Sequence, residues 1–395
     1  MSTRVNVMQF DLPGLQQLML TLGEKGYRAR QLAEWLYLRG AESFAGMDTL
    51  PRGLRSSLEE RFVFSQPRVL HKRTARDGTV GYLLELSGGV KTEAVAIPSR
   101  KRLTVCFSTQ AGCALGCVFC ATGALGLSRS LLPGEMLSQL AVVAADFADV
   151  RVSNVVAMGQ GEPFANYDAT LSALRMMNSP ELFGIGARHI TVSTAGLVRP
   201  IRRFASEPEQ FTLAVSLHSA EQRVRDLLMP GLSSQSLDRL REALLFYMEK
   251  TARRPSLEYA LIRGVNDSQQ ALASLLAFCR VPAPGFHVNL LTLNASGITL
   301  GLEREAMSGG AEETPSEAQG AEGRRKPLST PSAGSSPPLS AALPTLQKAG
   351  PAAFKRFENG LTAAGVGVSR RVSKGASIAA ACGQLACRSV ELQEL

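Results

Sequence analysis

The sequence predicts an α/β protein: a mostly parallel sheet, closed or partly closed into a barrel, behind a small helical unit at the N-terminus. Three observations carry this. From residue 102 onward, strand-like apolar runs alternate with amphipathic helices, the rhythm of βαβ units with right-handed crossovers. Residues 13–62 instead place their apolar positions at helical spacing. The segments GEP (161–163), STAG (193–196) and SLH (216–218) fall at strand ends, where such sheets carry their chemistry.

Taken in order, "LPGLQQLMLTLGEKGYRARQLAEWLYLRG" and "LPRGLRSSLEERF" read as capped helices. Two short strands follow, GYLLEL (81–86) and KTEAVAIP (91–98). Parallel strands are expected at 102–108, 154–159, 189–195, 211–219, 257–262 and 286–294, with helices such as YDATLSALRMM and DSQQALASLLAFC between them. From 301 to 349 the composition turns to Ser, Pro, Gly, Ala and Glu without one aromatic residue. Such a segment buries too little apolar surface to offset its ordering entropy and is expected to be a disordered insertion. The predicted organisation is a helical accessory domain at 1–75, a core with an N-terminal strand extension at 76–300, the insertion at 301–349, and the rest of the core at 350–395, beginning with a helix near 352–364 and a short strand after it.

Among the chain's 395 residues, 45% are hydrophobic, yet no apolar run reaches the roughly 18–20 residues a membrane span needs. The first dozen residues lack both a signal-peptide core and the look of a transit peptide. A reducing compartment is expected, the cytoplasm first, with chloroplast or mitochondrion as alternatives. A net charge of +9 and a pI near 9.4 point to a polyanionic partner. Basic residues form short groups at Lys25/Arg28/Arg30, Lys72/Arg73/Arg76, Arg100/Lys101/Arg102 and Arg370/Arg371/Lys374. Seven cysteines, an odd number, argue for metal binding or catalysis rather than a disulfide framework. Cys279, at helical spacing with Leu272, Leu275 and Leu276, reads as a core thiol.

"CALGCVFC" at 113–120 spaces three cysteines as C-x-x-x-C-x-x-C. A [4Fe–4S] cluster commonly takes four thiolates, one per iron, so three leave one iron open to a substrate or cofactor. The alternative is a zinc site in which the three thiolates are completed by a distant His or Cys, in a non-catalytic RNA-binding protein.

That spacing resembles the signature of the radical S-adenosylmethionine (SAM) superfamily. The resemblance implies a partial (β/α)6 barrel, one [4Fe–4S] cluster, and reductive cleavage of SAM to a 5′-deoxyadenosyl radical. The chain is further similar to the RlmN/Cfr family, through GYRARQLAEWLY, LPRGLR, CFSTQAGCALGCVFCATG, GQGEPFANYD, RHITVSTAGL, LAVSLHSA, LEYALIRGVNDS and AACGQL. Within it the adenine-C2 branch, acting on 23S ribosomal RNA with transfer RNA as a further candidate, resembles the chain most. The sibling C8 enzymes share the same cysteines.

By this resemblance Cys113, Cys117 and Cys120 hold the cluster. Gly161, Glu162, Ser193, Ser216, Leu217, His218 and Asn294 contact SAM, and Cys382 carries the methyl group. Cys106 resolves the covalent intermediate, and Glu93 accepts the C2 proton. The implied reaction spends two SAM molecules per turnover, draws electrons from a flavodoxin or ferredoxin, and is carried out by a monomer without a membrane. Adenine C2 has no lone pair for a polar methyl transfer, which is why the chemistry is radical. Two departures from the family pattern stand out. NASGI follows where a Pro-rich turn is usual, and Gly375–Ala376–Ser377–Ile378 lacks an acidic residue before AACGQL. Cys387, five residues past Cys382, reads as an inert surface thiol, with a competing disulfide partner as the alternative.

Overall fold

The computed structural model describes residues 4–41, 43–64, 66–294 and 346–387. The N-terminal unit consists of α1 (Leu12–Thr21), α2 (Arg28–Tyr37) and α3 (Arg52–Arg61), with the parallel pair β1 (Val5–Asn6) and β2 (Phe62–Val63) joining its ends. α1 starts where Asp11 accepts the Gly14 N–H at 2.8 Å and a proline occupies the first turn, which satisfies one orphan donor and removes another.

Four strands follow in antiparallel succession: β3 (Arg68–Thr74), β4 (Val80–Glu85), β5 (Lys91–Ser99) and β6 (Arg102–Cys106). A short antiparallel ribbon, β7 (Gln110–Gly112) and β8 (Leu127–Ser130), encloses α4 (Ala121–Ala124). After it come α5 (Pro133–Asp146), β9 (Val152–Ala157), α6 (Tyr167–Asn178), β10 (Ile190–Thr194), α7 (Val198–Phe204), β11 (Thr212–Ser216), α8 (Gln222–Leu228), α9 (Leu237–Thr251), β12 (Ser256–Leu261), α10 (Gln269–Cys279), β13 (His287–Thr292), α11 (Pro351–Ala363) and β14 (Gly367–Arg371).

One sheet takes ten of these strands in the order β14-β13-β12-β11-β10-β9-β6-β5-β4-β3. From β6 to β14 every neighbouring pair is parallel. All six expected parallel strands are present, and β14 adds a seventh. β11 ends at Ser216 rather than 219 because His218 turns the chain at φ +53°.

The border at residue 75 shifts. β3 belongs to the sheet, although its residues fall inside the helical domain expected at 1–75. As a mostly exposed edge strand, RVLHKRT lacks the apolar alternation that marks a half-buried one. The helical unit also has no separate core: Val7, Leu15, Leu32 and Leu36 share one buried cluster with Met136, Leu137 and Leu140 of α5. Of the expected insertion, 301–345 lie outside the described residues. Gln347 and Ala349 pair with the end of β12 and the residues after it, through Arg263 N–H to the Gln347 carbonyl at 2.8 Å and Ala349 N–H to the Leu261 carbonyl at 3.2 Å. Among the described residues no helix is long and apolar enough to cross a membrane.

Candidate functional site

Opposed residues of adjacent strands face the same way, so the register sorts the sheet into two faces. Leu103, Val105, Val155, Val192, Leu213, Leu257 and Leu290 occupy the outer face and are fully buried in the core that the helices share. The inner face follows from the pairs Val95–Cys106, Cys106–Val156, Val156–Thr191, Ser193–Ala214, Ser216–Glu258, Glu258–Asn289 and Leu291–Arg371. Glu93 lies two residues before Val95 and shares its side. Glu93, Cys106, Ser193 and Ser216 therefore share one face of the sheet.

The cysteine loop stands between β7 and α4. Cys113 donates its N–H to the Gly126 carbonyl at 2.7 Å, and Cys120, the cap of α4, donates to the Cys117 carbonyl at 3.0 Å. Gly112 closes the ribbon at φ +80°, where a Cβ would fall 2.0 Å from the Gly126 oxygen. All three thiols are half-buried. Burial pushes the Cys113 thiol up to about 11, with Glu162 and Cys120 adding to it. Cys117 is pushed up by burial and then by Cys120 and Cys113.

These residues fit an iron–sulfur cluster. Thiolates this close repel one another, and binding to cationic iron removes that penalty. Among the described residues no three His, Cys, Asp or Glu side chains gather tightly enough to hold a single metal ion; a cluster, with one thiolate per iron, does not require that. Arg225 adds a second indication. It is 1% exposed and donates Nη2 to the Ala195 carbonyl at 2.6 Å, while its Nε has no partner. Its charge also acts on Cys117. A buried cation with an unmatched donor suits an anionic group beside it.

The residues expected to contact SAM line the turns after the strands. Gly161 adopts φ +95°, and a Cβ would fall 2.5 Å from that of Gln110, so only glycine fits. Glu162 is buried, accepting the Phe164 N–H at 2.9 Å through Oε1 and the Ala195 N–H at 2.6 Å through Oε2. Burial raises its pKa, and those hydrogen bonds oppose the shift. Leu217 and His218 both donate N–H to the Glu258 carbonyl, at 3.0 and 3.2 Å. The His218 ring meets Phe119 of the cysteine loop edge-on, with centroids 4.7 Å apart. Its Nδ1 accepts the Ala260 N–H at 3.1 Å, which leaves the proton on Nε2. Burial, helped by Arg225, lowers its pKa to about 3; the ring is neutral.

Residues 372–387 leave β14 and reach the far edge of the sheet. Gly375 N–H points at Asp77 Oδ2 (3.4 Å), Lys374 pairs with Asp77 (3.8 Å), and Arg73 Nη1 donates to the Ile378 carbonyl (3.5 Å). Two of the basic groups seen in the sequence thus converge here. Asp77 supplies a carboxylate to the turn whose own acidic residue is missing. This strap then touches the cysteine loop, through Ala121 N–H to the Gly383 carbonyl and Thr122 Oγ1 to the Leu385 carbonyl, both 2.7 Å. Ala380 and Leu385 pack on Val95 and Cys106.

Cys382 therefore sits over Cys106. The residue as a whole is exposed, while its thiol is surrounded by protein groups. Those surroundings raise its pKa, with Arg371 opposing and Glu258 and Cys120 adding to the rise. Cys106, 6% exposed, is pushed up by burial and then by Cys382. Asn294 Nδ2 donates to the Cys382 carbonyl at 3.2 Å. Glu93 Oε2 accepts the Cys387 N–H at 3.0 Å and Gln160 Nε2 at 3.3 Å; burial raises its pKa, and the Cys387 amide and Arg73 oppose the rise. Cys387 is not a surface thiol. It is half-buried, with Sγ 3.1 Å from Gln160 Nε2, and burial pushes it up to about 11.

Sequence reasoning missed Gln160, Arg225, Glu258, Asn266 and Arg371. Arg225 sits on a short helix whose one other arginine, Arg223, faces solvent, and nothing in its neighbours marks it as buried. Glu258 is 4% exposed, held by Asn289 Nδ2 (2.7 Å) and paired with Arg371 (3.4 Å). An acidic residue inside an otherwise apolar parallel strand was the available signal.

Fold and cysteine loop together define a radical SAM enzyme, and residues 107–276 match the radical SAM superfamily model. Residues 5–64 match the ribosomal RNA large subunit methyltransferase N-terminal domain. A probable dual-specificity RNA methyltransferase RlmN of Pelotomaculum thermopropionicum is 43% identical over 292 residues, 74% of this chain and 79% of the relative. Its counterpart in Bacillus subtilis is 41% identical over 296 residues, 74% and 80% of the two chains. The solved structure of a radical SAM methyltransferase from Sphaerobacter thermophilus superposes with a TM-score of 0.80 at 34% identity, covering 97% of this chain and all of that one. The chain belongs to the RlmN family of radical SAM methyltransferases.

Proposed function

We propose that this protein methylates C2 of an adenosine in 23S ribosomal RNA, with transfer RNA as a second substrate, through an S-methyl group carried by Cys382. The observation that carries this reading is the strap that sets Cys382 beside the cysteine loop on one side and over Cys106 and Glu93 on the other. Cys113, Cys117 and Cys120 hold the cluster. Gly161, Glu162, Ser193, Ser216, Leu217, His218 and Asn294 form the SAM wall, with neutral His218 bracing the cysteine loop through Phe119. Bound there, cluster and SAM supply a methyl group and, from a second SAM, an alkyl radical able to take a hydrogen atom from a methyl thioether.

The chain's own residues do the rest. Cys382 receives the methyl group as a thioether; with one hydrogen atom removed from that methyl, its carbon bonds to adenine C2, and the odd electron of the adduct would pass to the bound cluster. Glu93 takes the C2 proton, a role its raised pKa suits. The Cys106 thiolate attacks the Cys382 sulfur, the S–C bond breaks with its electron pair going to the product carbon, which takes up a proton to become the methyl group, and a Cys106–Cys382 disulfide remains. An external dithiol restores the pair. A flavodoxin or ferredoxin supplies electrons, and the protein acts as a monomer in the cytoplasm. Mass spectrometry of nucleosides from RNA incubated with reconstituted protein, SAM and reductant tests this: 2-methyladenosine is expected, whereas 8-methyladenosine or no methylation overturns it.

A further inference from the structure

Gln160 occupies the turn that leads into Gly161 and Glu162, yet its side chain reaches β5 directly and its backbone N–H is linked to β5 through Ser108. Its N–H donates to Ser108 Oγ at 2.8 Å, and that hydroxyl donates to the Glu93 carbonyl at 2.6 Å. Its carboxamide oxygen accepts the Thr92 hydroxyl at 3.3 Å. The Glu93 carboxylate, an acceptor, decides which way the amide points, since the Thr92 hydroxyl can serve either end: Nε2 faces Glu93 at 3.3 Å and Cys387 Sγ at 3.1 Å, and Oε1 rests on Thr92. A flipped amide would set a carbonyl against a carboxylate. Gln160 and Thr92 are 1% and 0% exposed, so water does not replace these bonds.

We propose that Gln160, braced by Thr92, is a positioning residue for Glu93: it holds the carboxylate that receives the C2 proton and favours its ionised form. This rests on the reading of Glu93 as proton acceptor. A donor to a carboxylate lowers its pKa, while burial raises it. Gln160 does this without adding a charge to the site. The charged and titratable groups that face Glu93 are Arg73 and His71 on β3 and Cys387 on the strap, with Lys91 acting on Cys387 from β5 itself. Because Gln160 is joined through the chain to Gly161 and Glu162, the same turn that forms the SAM wall fixes the proton acceptor.

Gln160→Met keeps the length of the side chain and removes the donors. In full-length, cluster-loaded protein, decay of the protein–RNA adduct should keep its rate at high pH, and its acid limb should move up by about one pH unit. The Glu93 carboxyl band, assigned by its loss in Glu93→Gln and titrated by infrared difference spectroscopy without RNA, should move the same way. Thr92→Val should shift both in part, and Thr92→Ser should restore them. An unchanged acid limb and carboxyl titration in Gln160→Met overturns the proposal. Should that variant not hold iron, the same comparison in Thr92→Val decides it. If Glu93→Gln resolves the adduct normally, the proton-acceptor reading fails, whereas the carboxyl titration still reports on Gln160.

Discussion

Asn294 Nδ2 donates to the carbonyl oxygen of Cys382 at 3.2 Å, so a residue just past β13 also grips the strap at Cys382. This bond joins the residue that would touch the donor to the residue that would accept from it. Asn294→Ala should keep its iron and slow S-methylation of Cys382 by roughly tenfold, the order of one lost hydrogen bond. Peptide mass spectrometry at short reaction times reads that rate; a wild-type rate would mean that the bond does not place the carrier.

Cys113, Cys117 and Cys120 lie on one loop and act on one another electrostatically, and as cluster ligands each should hold its own iron. Replacing any one with Ala should abolish reductive SAM cleavage and strip iron from the protein. Iron content near that of wild type in any of the three variants counts against the assignment.

Much of this site was legible because its chemistry is local. The cysteine loop, the GEP turn and the AACGQL segment each declare themselves within a dozen residues, and strand periodicity placed Cys106 and Ser193 on strands. What was not legible depends on which strands are neighbours. Gln160 touches Glu93 across 67 positions of sequence, and Arg371 meets Glu258 across 113. Nothing in either segment specifies the other. Cys387 was misplaced for the same reason: a thiol near the end of a chain reads as surface until Glu93 and Gln160 are seen to enclose it.

Buried His218, with its pKa lowered from near 6.5 to about 3, makes stability depend on pH. Its folded value is depressed, so the folded state binds fewer protons than the unfolded one below the unfolded value. Its contribution is complete above about pH 6.5 and is lost as pH falls toward 3, by about 1.4 kcal/mol per unit. Urea unfolding at pH 7.5 and 5.0 should narrow the gap between wild type and His218→Gln at the lower pH. A gap that does not change with pH would mean that His218 is not buried neutral.

Asn266 is fully buried and clips the end of β12. Its Nδ2 donates to the carbonyls of His218 and Ala260, at 2.5 and 2.8 Å, and its Oδ1 accepts the Ile262 N–H at 2.7 Å. Asn266→Ala leaves three backbone groups without partners and should cost roughly 3 kcal/mol. A denaturant midpoint equal to that of wild type would show that water takes over those bonds.

The strap thiol Cys382 and the β6 thiol Cys106 should separate by the step each performs. If Cys382 accepts the methyl group before RNA reacts, as proposed, Cys382→Ala should form neither methylated protein nor methylated RNA, and it should keep its cluster because no cluster ligand is altered. Cys106 faces Cys382 from β6, packed with Val95, Ala380 and Leu385, and acts only when its thiolate expels the product. Cys106→Ala should therefore still methylate Cys382 and still bond to the adenine, then stall as a covalent protein–RNA complex. On a denaturing gel that species runs as a slow band that collapses after ribonuclease treatment. Burial pushes the Cys106 thiol up, and the Arg371 charge opposes that shift, so Arg371→Met should slow release in wild-type Cys106 without preventing adduct formation. Normal turnover by Cys106→Ala, or methylated RNA from Cys382→Ala, would exclude the carrier-and-resolver scheme for this protein.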